Sequence, residues 1–418
     1  MKKIFALVVA LIMAMTCLTA CGSKEPSGNK DGDNKSKVKI GVVLVGDENE
    51  GYTYAHMEGI KKAITASGID EKNVIWKYNV PEDEKCYDTA TDLVDQGCVA
   101  IFSNSYGHQA HMERAAKENP NVTFVAMTGD TAKASGLSNF CNAFTSVYES
   151  RYVSGIVAGM KVEELVKNNK LTEKNYTANK KVRIGYVGAY PYAEVVSGYS
   201  AFFLGIQSIY PDVEMEVKYT NSWFSLTDEA AAAKALAADG CVIIGQHADS
   251  TGAPSAIQDL HDKGQEVYSV GYNIDMLNVA KTAALTSATN NWSVYYTYAF
   301  NQLVKGEKIA TNWAEGYKTG AVAITALGES CAAGTKEKVD ETEKALKAGT
   351  LNVFDASKFT VDGKNLTEYK ADVIPDASFE HETNVIENGI FCESKADEFR
   401  SAPYFDIRID GITELSSK

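Results

Sequence analysis

The chain has 418 residues, an ordinary apolar content of 45% and a formal charge of −14 at pH 7. That length predicts two domains. An acidic excess with no basic stripe or Arg cluster argues against nucleic acid as a partner and otherwise speaks only to solubility.

The chain opens with Lys2-Lys3, an apolar run from Ile4 to Met15, and then Leu18-Thr19-Ala20-Cys21. A basic start, a short apolar core and small residues before a cleavage point describe a secretory signal over 1–20. The run is too short to span a bilayer. Gly22 to Lys37 are rich in Gly, Ser, Asn, Lys and Asp, a composition that buries no core and predicts a flexible tether over 21–37. Cys86, Cys98, Cys141, Cys241, Cys331 and Cys392 follow. An exported context permits disulfides, but Cys98 and Cys241 open equivalent apolar runs, which predicts packing for both. No CxxC or Cys/His ligand spacing is present, so neither metal nor cofactor is expected.

Beyond the tether a strand is predicted over Lys39–Val45, followed by Asn49 in a polar loop and Tyr52 on the first turn of a helix. That helix buries Met57, Ile60 and Ile64 and stops at Gly68, a common left-handed cap. A second strand over Asn73–Val80 and a helix carrying Ala90, Leu93 and Val94 lead to Gly97. Val99–Phe102 is a third strand, and Asn104, Ser105 and Tyr106 stand at its end. His108 and His111, three apart on one helix face, read as solvated. After a strand over Thr123–Met127, the chain crosses to a second domain near Thr145. There Ser154, Gly155, Ala158 and Gly159 suit close helix packing.

Val182–Val187 opens the second domain and runs into Tyr190. A strand over Val213–Tyr219 ends at Trp223, which is costly to leave in water. Cys241 to Ile244 is a short β-branched run that turns polar at Gln246, His247, Asp249 and Ser250. That is how a buried parallel strand with a functional end reads, since ligands of open α/β sheets sit beyond the carboxyl ends of strands. Val267–Tyr272 ends at Asn273 and Asp275. Thr286 to Trp292 is expected to cross back to the first domain, and the chain to return near Gly306. Patterns from Glu329 onward are weak.

The two domains echo each other. Gly97-Cys98-Val99-Ala100-Ile101 matches Gly240-Cys241-Val242-Ile243-Ile244, and Lys39-Ile40-Gly41-Val42-Val43 matches Arg183-Ile184-Gly185-Tyr186-Val187. One strand–helix–strand–helix–strand unit thus occurs twice, a repeat of domain size. Two such α/β lobes with polar strand ends facing each other make a cleft.

At Glu149-Ser150-Arg151-Tyr152, at Asn221-Ser222-Trp223-Phe224 and at Gln246-His247-Ala248-Asp249-Ser250 the chain resembles the basic membrane protein family. These are lipoprotein substrate-binding components of ABC importers and include purine-nucleoside receptors. The resemblance covers Lys39 to Gly328. It implies a type I periplasmic-binding-protein fold, an α/β class with two Rossmann-like lobes of parallel sheet joined by a three-stranded hinge. The lobes are then 38–144 with 276–306, and 145–275 with 307–418.

In the nucleoside-binding members a purine is stacked between two aromatics, whose places Tyr52 and Trp223 take. Asn49 and Asn273 stand where the family has Asp, with Asp275 nearby. Carboxylates suit the hydroxyls of a ribose, so a nucleobase stands beside a purine nucleoside as the expected ligand. Asn104, Tyr106, Tyr190, Gln246, Asp249, Asp275 and Trp292 complete the expected site. Leu18-Thr19-Ala20-Cys21 resembles a lipobox, which implies acylation of Cys21 and a monomer anchored at the extracytoplasmic face of the cell membrane, with an ABC permease as partner. The competing readings are a receptor for another solute, such as a sugar or signalling molecule, and an exported nucleoside hydrolase. For the latter there is no Gly-x-Ser-x-Gly elbow, HExxH helix or P-loop.

Overall fold

The structure, a computed structural model, describes residues 38–375, 382–395 and 398–415. The expected signal, tether and Cys21 lie outside the described residues. In the first half, strands β1 (Ile40–Val43), β2 (Val74–Lys77), β3 (Ala100–Ser103), β4 (Thr123–Met127) and β5 (Phe140–Thr145) alternate with helices α1 (Gly51–Ser67), α2 (Glu84–Asp95), α3 (Gln109–Glu118) and the short α4 (Ala132–Ser135). Helix α5 (Val147–Lys167) leads into β6 (Val182–Gly188), α6 (Ala193–Gln207), β7 (Val213–Tyr219), α7 (Leu226–Ala238), β8 (Ile243–His247), α8 (Gly252–His261), β9 (Tyr268–Tyr272) and β10 (Ala284–Asn290).

The first five strands pair in the order β2-β1-β3-β4-β5, and the next five in the order β7-β6-β8-β9-β10. All of these pairs are parallel. The repeat seen in the sequence is therefore a repeat of topology. Its matching glycines have matching jobs. A Cβ on Gly41 would lie 2.8 Å from Leu93 Cδ1, and one on Gly185 would lie 3.0 Å from Leu236 Cβ. In each lobe a helix leucine from α2 or α7 rests on the bare backbone of the strand that opens the unit, β1 or β6.

Each sheet is covered on both faces. In the first lobe Val42, Phe102 and Val125 pack with Met57 and Ile60 of α1 on one face, while Val43, Ile101 and Phe124 pack with Leu93 and Met112 on the other. Buried parallel strands need this double cover. His108 differs from expectation: it is fully buried, with Nε2 2.9 Å from the Val80 carbonyl oxygen. The six cysteines from Cys86 to Cys392 are free, and Cys98 and Cys241 are buried at the feet of β3 and β8.

After β10, helix α9 (Trp292–Lys305) packs on the first lobe, where Trp292, Tyr296 and Phe300 join the core of α1. Strand β11 (Asn312–Glu315) then extends the first sheet beside β5, and β12 (Val322–Ile324) returns antiparallel to β10. The lobe limits expected at 276 and 306 shift accordingly. Residues 284–290 belong to the second sheet and 312–315 to the first, because apolar character is alike in both sheets and only pairing assigns a strand.

The weakly patterned tail is ordered on the second lobe. Helix α10 (Thr335–Lys347) is followed by the two-residue strands β13 (Lys370–Ala371), β14 (Thr383–Asn384), β15 (Ile386–Glu387) and β16 (Ile390–Phe391), and β17 (Ile412–Leu415) adds an edge to β7. Phe354 and Phe405 stack with centroids 4.0 Å apart at the centre of this layer.

The long helices α5 and α6 cross almost backbone to backbone. A Cβ on Gly155 would sit 2.2 Å from the Phe202 carbonyl oxygen, and one on Gly205 would sit 2.2 Å from that of Tyr152. No side chain fits without driving the helices apart. Gly155→Val is expected to cost about 1–3 kcal/mol, read as a lowered urea midpoint at unchanged slope.

Candidate functional site

Three chain crossings join the lobes, and hydrogen bonds lace them together. Ser146 N donates to the Glu315 carbonyl at 2.8 Å, and Asn291 N to that of Ala321 at 2.8 Å. Tyr317 N donates to Glu149 Oε2 at 2.6 Å. Thr145 Oγ1 donates to Asn290 Oδ1 between the first two crossings. A polar chain runs from there into the cleft. Asn290 Nδ2 donates to the Tyr272 hydroxyl at 3.2 Å, and Asn273 Nδ2 to Asp249 Oδ1 at 2.7 Å.

On the second lobe the strand ends present a run of rings. Tyr192 and Tyr190 stack at 5.1 Å, Trp223 lies 5.6 Å from Tyr190, His247 lies 6.4 Å from Trp223, and Tyr272 lies 4.8 Å from His247. Asp249 N donates to the Trp223 carbonyl at 2.8 Å, which ties the loop after β7 to the end of β8. Beneath the rings, Arg151 of α5 is 2% exposed. Its guanidinium lies 3.7 Å over the Tyr272 ring and its Nη1 donates to the Gln246 carbonyl at 2.5 Å. Its Nε and Nη2 and His247 Nδ1 have no hydrogen-bond partner among the described residues.

Glu194, on the first turn of α6, stands 3.2 Å from His247 Nε2 with its side chain 23% exposed. Burial raises its carboxyl to about 7 against the opposing pull of Arg151. Burial, with Arg151 behind it, pushes His247 well below the ordinary imidazole range, so the ring is neutral. Asp249 is raised by burial first, then by Glu50 across the cleft and by Glu229 and Glu194.

From the first lobe, the amino end of α1 closes on this surface. A Cβ on Gly51 would lie 3.4 Å from both the Asp249 carbonyl oxygen and Ile274 Cδ1. Glu50 caps the helix by accepting from Tyr52 N at 2.7 Å and Thr53 N at 2.8 Å. The Tyr52 hydroxyl donates to the Asn104 carbonyl. Burial holds it protonated well above its usual range, and Glu194 and Tyr272 of the other lobe add to the shift. Tyr106 and Tyr192, both more than half exposed, frame the mouth. Burial and the neighbouring Asp130 push the Tyr106 hydroxyl up to about 12.

The structure thus brings Tyr52, Tyr106, Tyr190, Trp223 and Asp249 to one cleft. It places the other expected residues elsewhere. Trp292 is 1% exposed in the core of the first lobe, stacked on His56 at 4.4 Å. Asp275 is exposed and accepts from Leu277 N. Asn49 is exposed and donates to Asp47 through its amide at 2.8 Å. Gln246 and Asn104 are buried and spend their amides inside their own lobes. Gln246 Nε2 donates to the Ala248 and Ser250 carbonyls. Asn104 Oδ1 accepts from Val45 N and its Nδ2 donates to Thr53 Oγ1. These five stand near strand ends in sequence, but their groups are already satisfied or turned away. Arg151, Glu194 and Tyr272 are the residues that sequence reasoning missed. A lone Arg in the apolar run from Val147 to Ala158 was the available signal.

The tail reaches this cleft as well. Arg400 Nη1 lies 3.7 Å from Asp130 Oδ2 of the first lobe, and Ser401 Oγ donates to the Gly129 carbonyl at 3.1 Å. Ala402 packs with Phe144, Val147 and Tyr272. A separate groove of about 380 Å³, lined by Lys181, Glu214 and Asp410 among others, lies at the amino ends of β6 and β7, the opposite edge from the cleft.

Two parallel α/β lobes with a closed cleft at their strand ends define the two-lobed fold of the solute-binding proteins. An ABC solute-binding protein from Aeropyrum pernix shares the fold with a TM-score of 0.62 at 14% identity, covering 78% of this chain and 94% of its own. One from Conexibacter woesei does so with a TM-score of 0.57 at 18% identity, covering 75% and 98%. The model of the family described as ABC transporter substrate-binding protein PnrA-like matches residues 37–351, and the chain belongs to that family. A purine-binding protein of Brucella abortus is 32% identical over 77% of this chain and 84% of its own length. The family is one of transport receptors, not enzymes. Among the described residues no helix is long and apolar enough to cross a membrane.

Arg400 and Ser401 tie the second lobe to the first across the cleft. Arg400→Ala removes a mostly buried ion pair whose partner Asp130 stays in place. The expected result is a larger radius of gyration for the ligand-free protein in small-angle scattering, with an unchanged urea slope. Removing one partner of a mostly buried pair leaves the other charge uncompensated, so the equilibrium shifts toward the open form.

Proposed function

We propose that this protein is a lipid-anchored receptor that holds a purine nucleobase or nucleoside between its lobes and delivers it to an ABC permease. The observation that carries the reading is the run of rings from Tyr190 through Trp223 and His247 to Tyr272, facing Tyr52, with the carboxylates of Glu194 and Asp249 set among them. Flat heterocycles bind by stacking, and N–H groups on their edges need acceptors. The purine-binding relative from Brucella agrees with this chemistry.

Magnitudes say what each part supplies. Stacking contributes about 1–3 kcal/mol per base face, whereas a micromolar receptor needs about 8 kcal/mol net. Hydrogen bonds to charged groups add about 1.5–3 kcal/mol each, so two carboxylates bring the sum into range before ordering costs. A ligand touching both lobes favours the closed form by its differential contacts, and the permease reads that closure. Asn273 and Asn49 in place of acids leave fewer acceptors for ribose hydroxyls, which keeps a free base beside a nucleoside.

Thermal unfolding of the body from Val38 onward, against purine and pyrimidine bases, nucleosides and simple sugars, tests the reading. A ligand at a hundred times its dissociation constant stabilises by about 2.7 kcal/mol. A shift with purines that is lost in Trp223→Ala is the expected outcome. A shift with sugars alone would leave the fold standing and remove the purine. For the anchor, Cys21→Ala is expected to move the protein from the membrane fraction to the soluble one.

A further inference from the structure

Among the carboxylates of the cleft, Glu194 is the one backed by two buried groups, His247 in contact and Arg151 through its charge. Glu50 is occupied capping α1. Among the described residues Asp249 and Glu194 each take one side-chain contact at one oxygen, Asp249 from Asn273 and Glu194 from His247, and the Glu194 side chain is partly open. His247 is fully buried and neutral, and toward the ionised Glu194, which can only accept, its Nε2 carries the proton and donates. Arg151 is anchored by the Gln246 carbonyl and by the Tyr272 ring, with two guanidinium nitrogens left over. Gly198, one turn along α6, makes room for this arrangement. A Cβ there would lie 2.6 Å from His247 Nδ1 and 3.6 Å from Arg151 Nε. The side chain is therefore held in one place with a free oxygen, beside the rings that would sandwich a ligand.

We propose that Glu194 is the specificity-determining residue of the cleft, accepting a hydrogen bond from an N–H-bearing edge of a flat heterocycle, with His247 and Arg151 as its positioning residues. This rests on the stacked-ring reading and names what selects among stacked rings. A ring system with an exocyclic amine or a ring N–H satisfies the free oxygen. One of the same shape without a donor leaves a buried acceptor unpaired, which is the most effective form of discrimination.

The charge state of Glu194 gives the inference a signature. The groups that face it are Arg151 on α5, Tyr186 on β6, His247 and Asp249 at the end of β8, Tyr272 on β9 and, from the first lobe, Tyr52. Burial raises its carboxyl to about 7. An N–H donor stabilises the ionised form, so affinity is full above that pH and falls as pH drops through it. The neutral His247 and the strongly raised tyrosines do not ionise in that window. Asp249 is raised as well, and its response is common to native protein and a Glu194 variant, so the difference between the two reports Glu194.

Titration calorimetry of adenine, hypoxanthine and glucose into the native protein and into Glu194→Gln, from pH 5.5 to 8.5, tests this. Native protein is expected to bind a base about tenfold more tightly at pH 8.5 than at pH 5.5. Glu194→Gln should bind it about tenfold more weakly than native at pH 8.5, the lower end of a charge-assisted bond, with a shallower pH dependence than native. A flat profile in the native protein, or equal binding by both proteins at every pH, overturns the role of Glu194 and leaves the purine reading intact. Binding of glucose alone overturns both, since glucose carries no N–H.

Discussion

The hydrogen bond from Thr145 to Asn290 joins two of the three strands on which the lobes turn. Asn290 is also the last residue of β10, so its amide can reach Tyr272 at the end of β9. Through Asn273 the same chain of polar groups continues to Asp249. Hinge and site thus share one buried network. Such networks are costly when half satisfied, so a change of hinge angle that strains one member is felt by the others. That is a physical route by which a ligand held at Asp249 and Tyr272 reports to the crossings beneath it.

The cleft is acidic at its centre. Burial first raises Glu50, Glu194, Asp249 and Glu229, the other three add to the rise at Asp249, and Arg151 opposes it at Glu194 and Asp249. Gathering carboxylates away from water is unfavourable unless donors meet them. Backbone amides meet Glu50 and Glu229, and Asn273 meets Asp249. The remaining acceptor capacity suits donors of a ligand such as the one proposed, and the same logic disfavours an anion. The closed contact of Gly51 against Asp249 and Ile274 brings the amino end of α1 over this acidic surface, where a helix terminus is favourable.

Legibility followed the range of the physical signal. Double-sided burial writes near-continuous apolar runs, so the strands of both lobes and their echo were visible. The glycines of that echo were visible too, but not that Leu93 and Leu236 rest on them. Trp292 reads as a ring at a strand end; only the fold shows it turned inward onto His56. Gln246 and Asn104 stand in the right loops, yet each closes its own loop with its amide. Their polarity is the same whether it serves the backbone or a ligand, and sequence carries no record of direction. The tail was hard to read because four of its five strands are two residues long and its core is built from single aromatics such as Phe354, Phe391 and Phe405.

What the sequence determined alone is the class of the molecule: alternating elements, a doubled domain, and a family signature, all set by local periodicity and nearest-neighbour residue types. What the tertiary structure decided is which strand joins which sheet, which rings face one another and which carboxylate His247 and Arg151 stand behind. Parallel pairing joins residues distant in the chain, as with β11 beside β5. Arg151 reaches Gln246 across 95 positions, and Arg400 meets Asp130 from still farther along the chain. No window of sequence contains both members of such a pair, so their meeting is a property of packing.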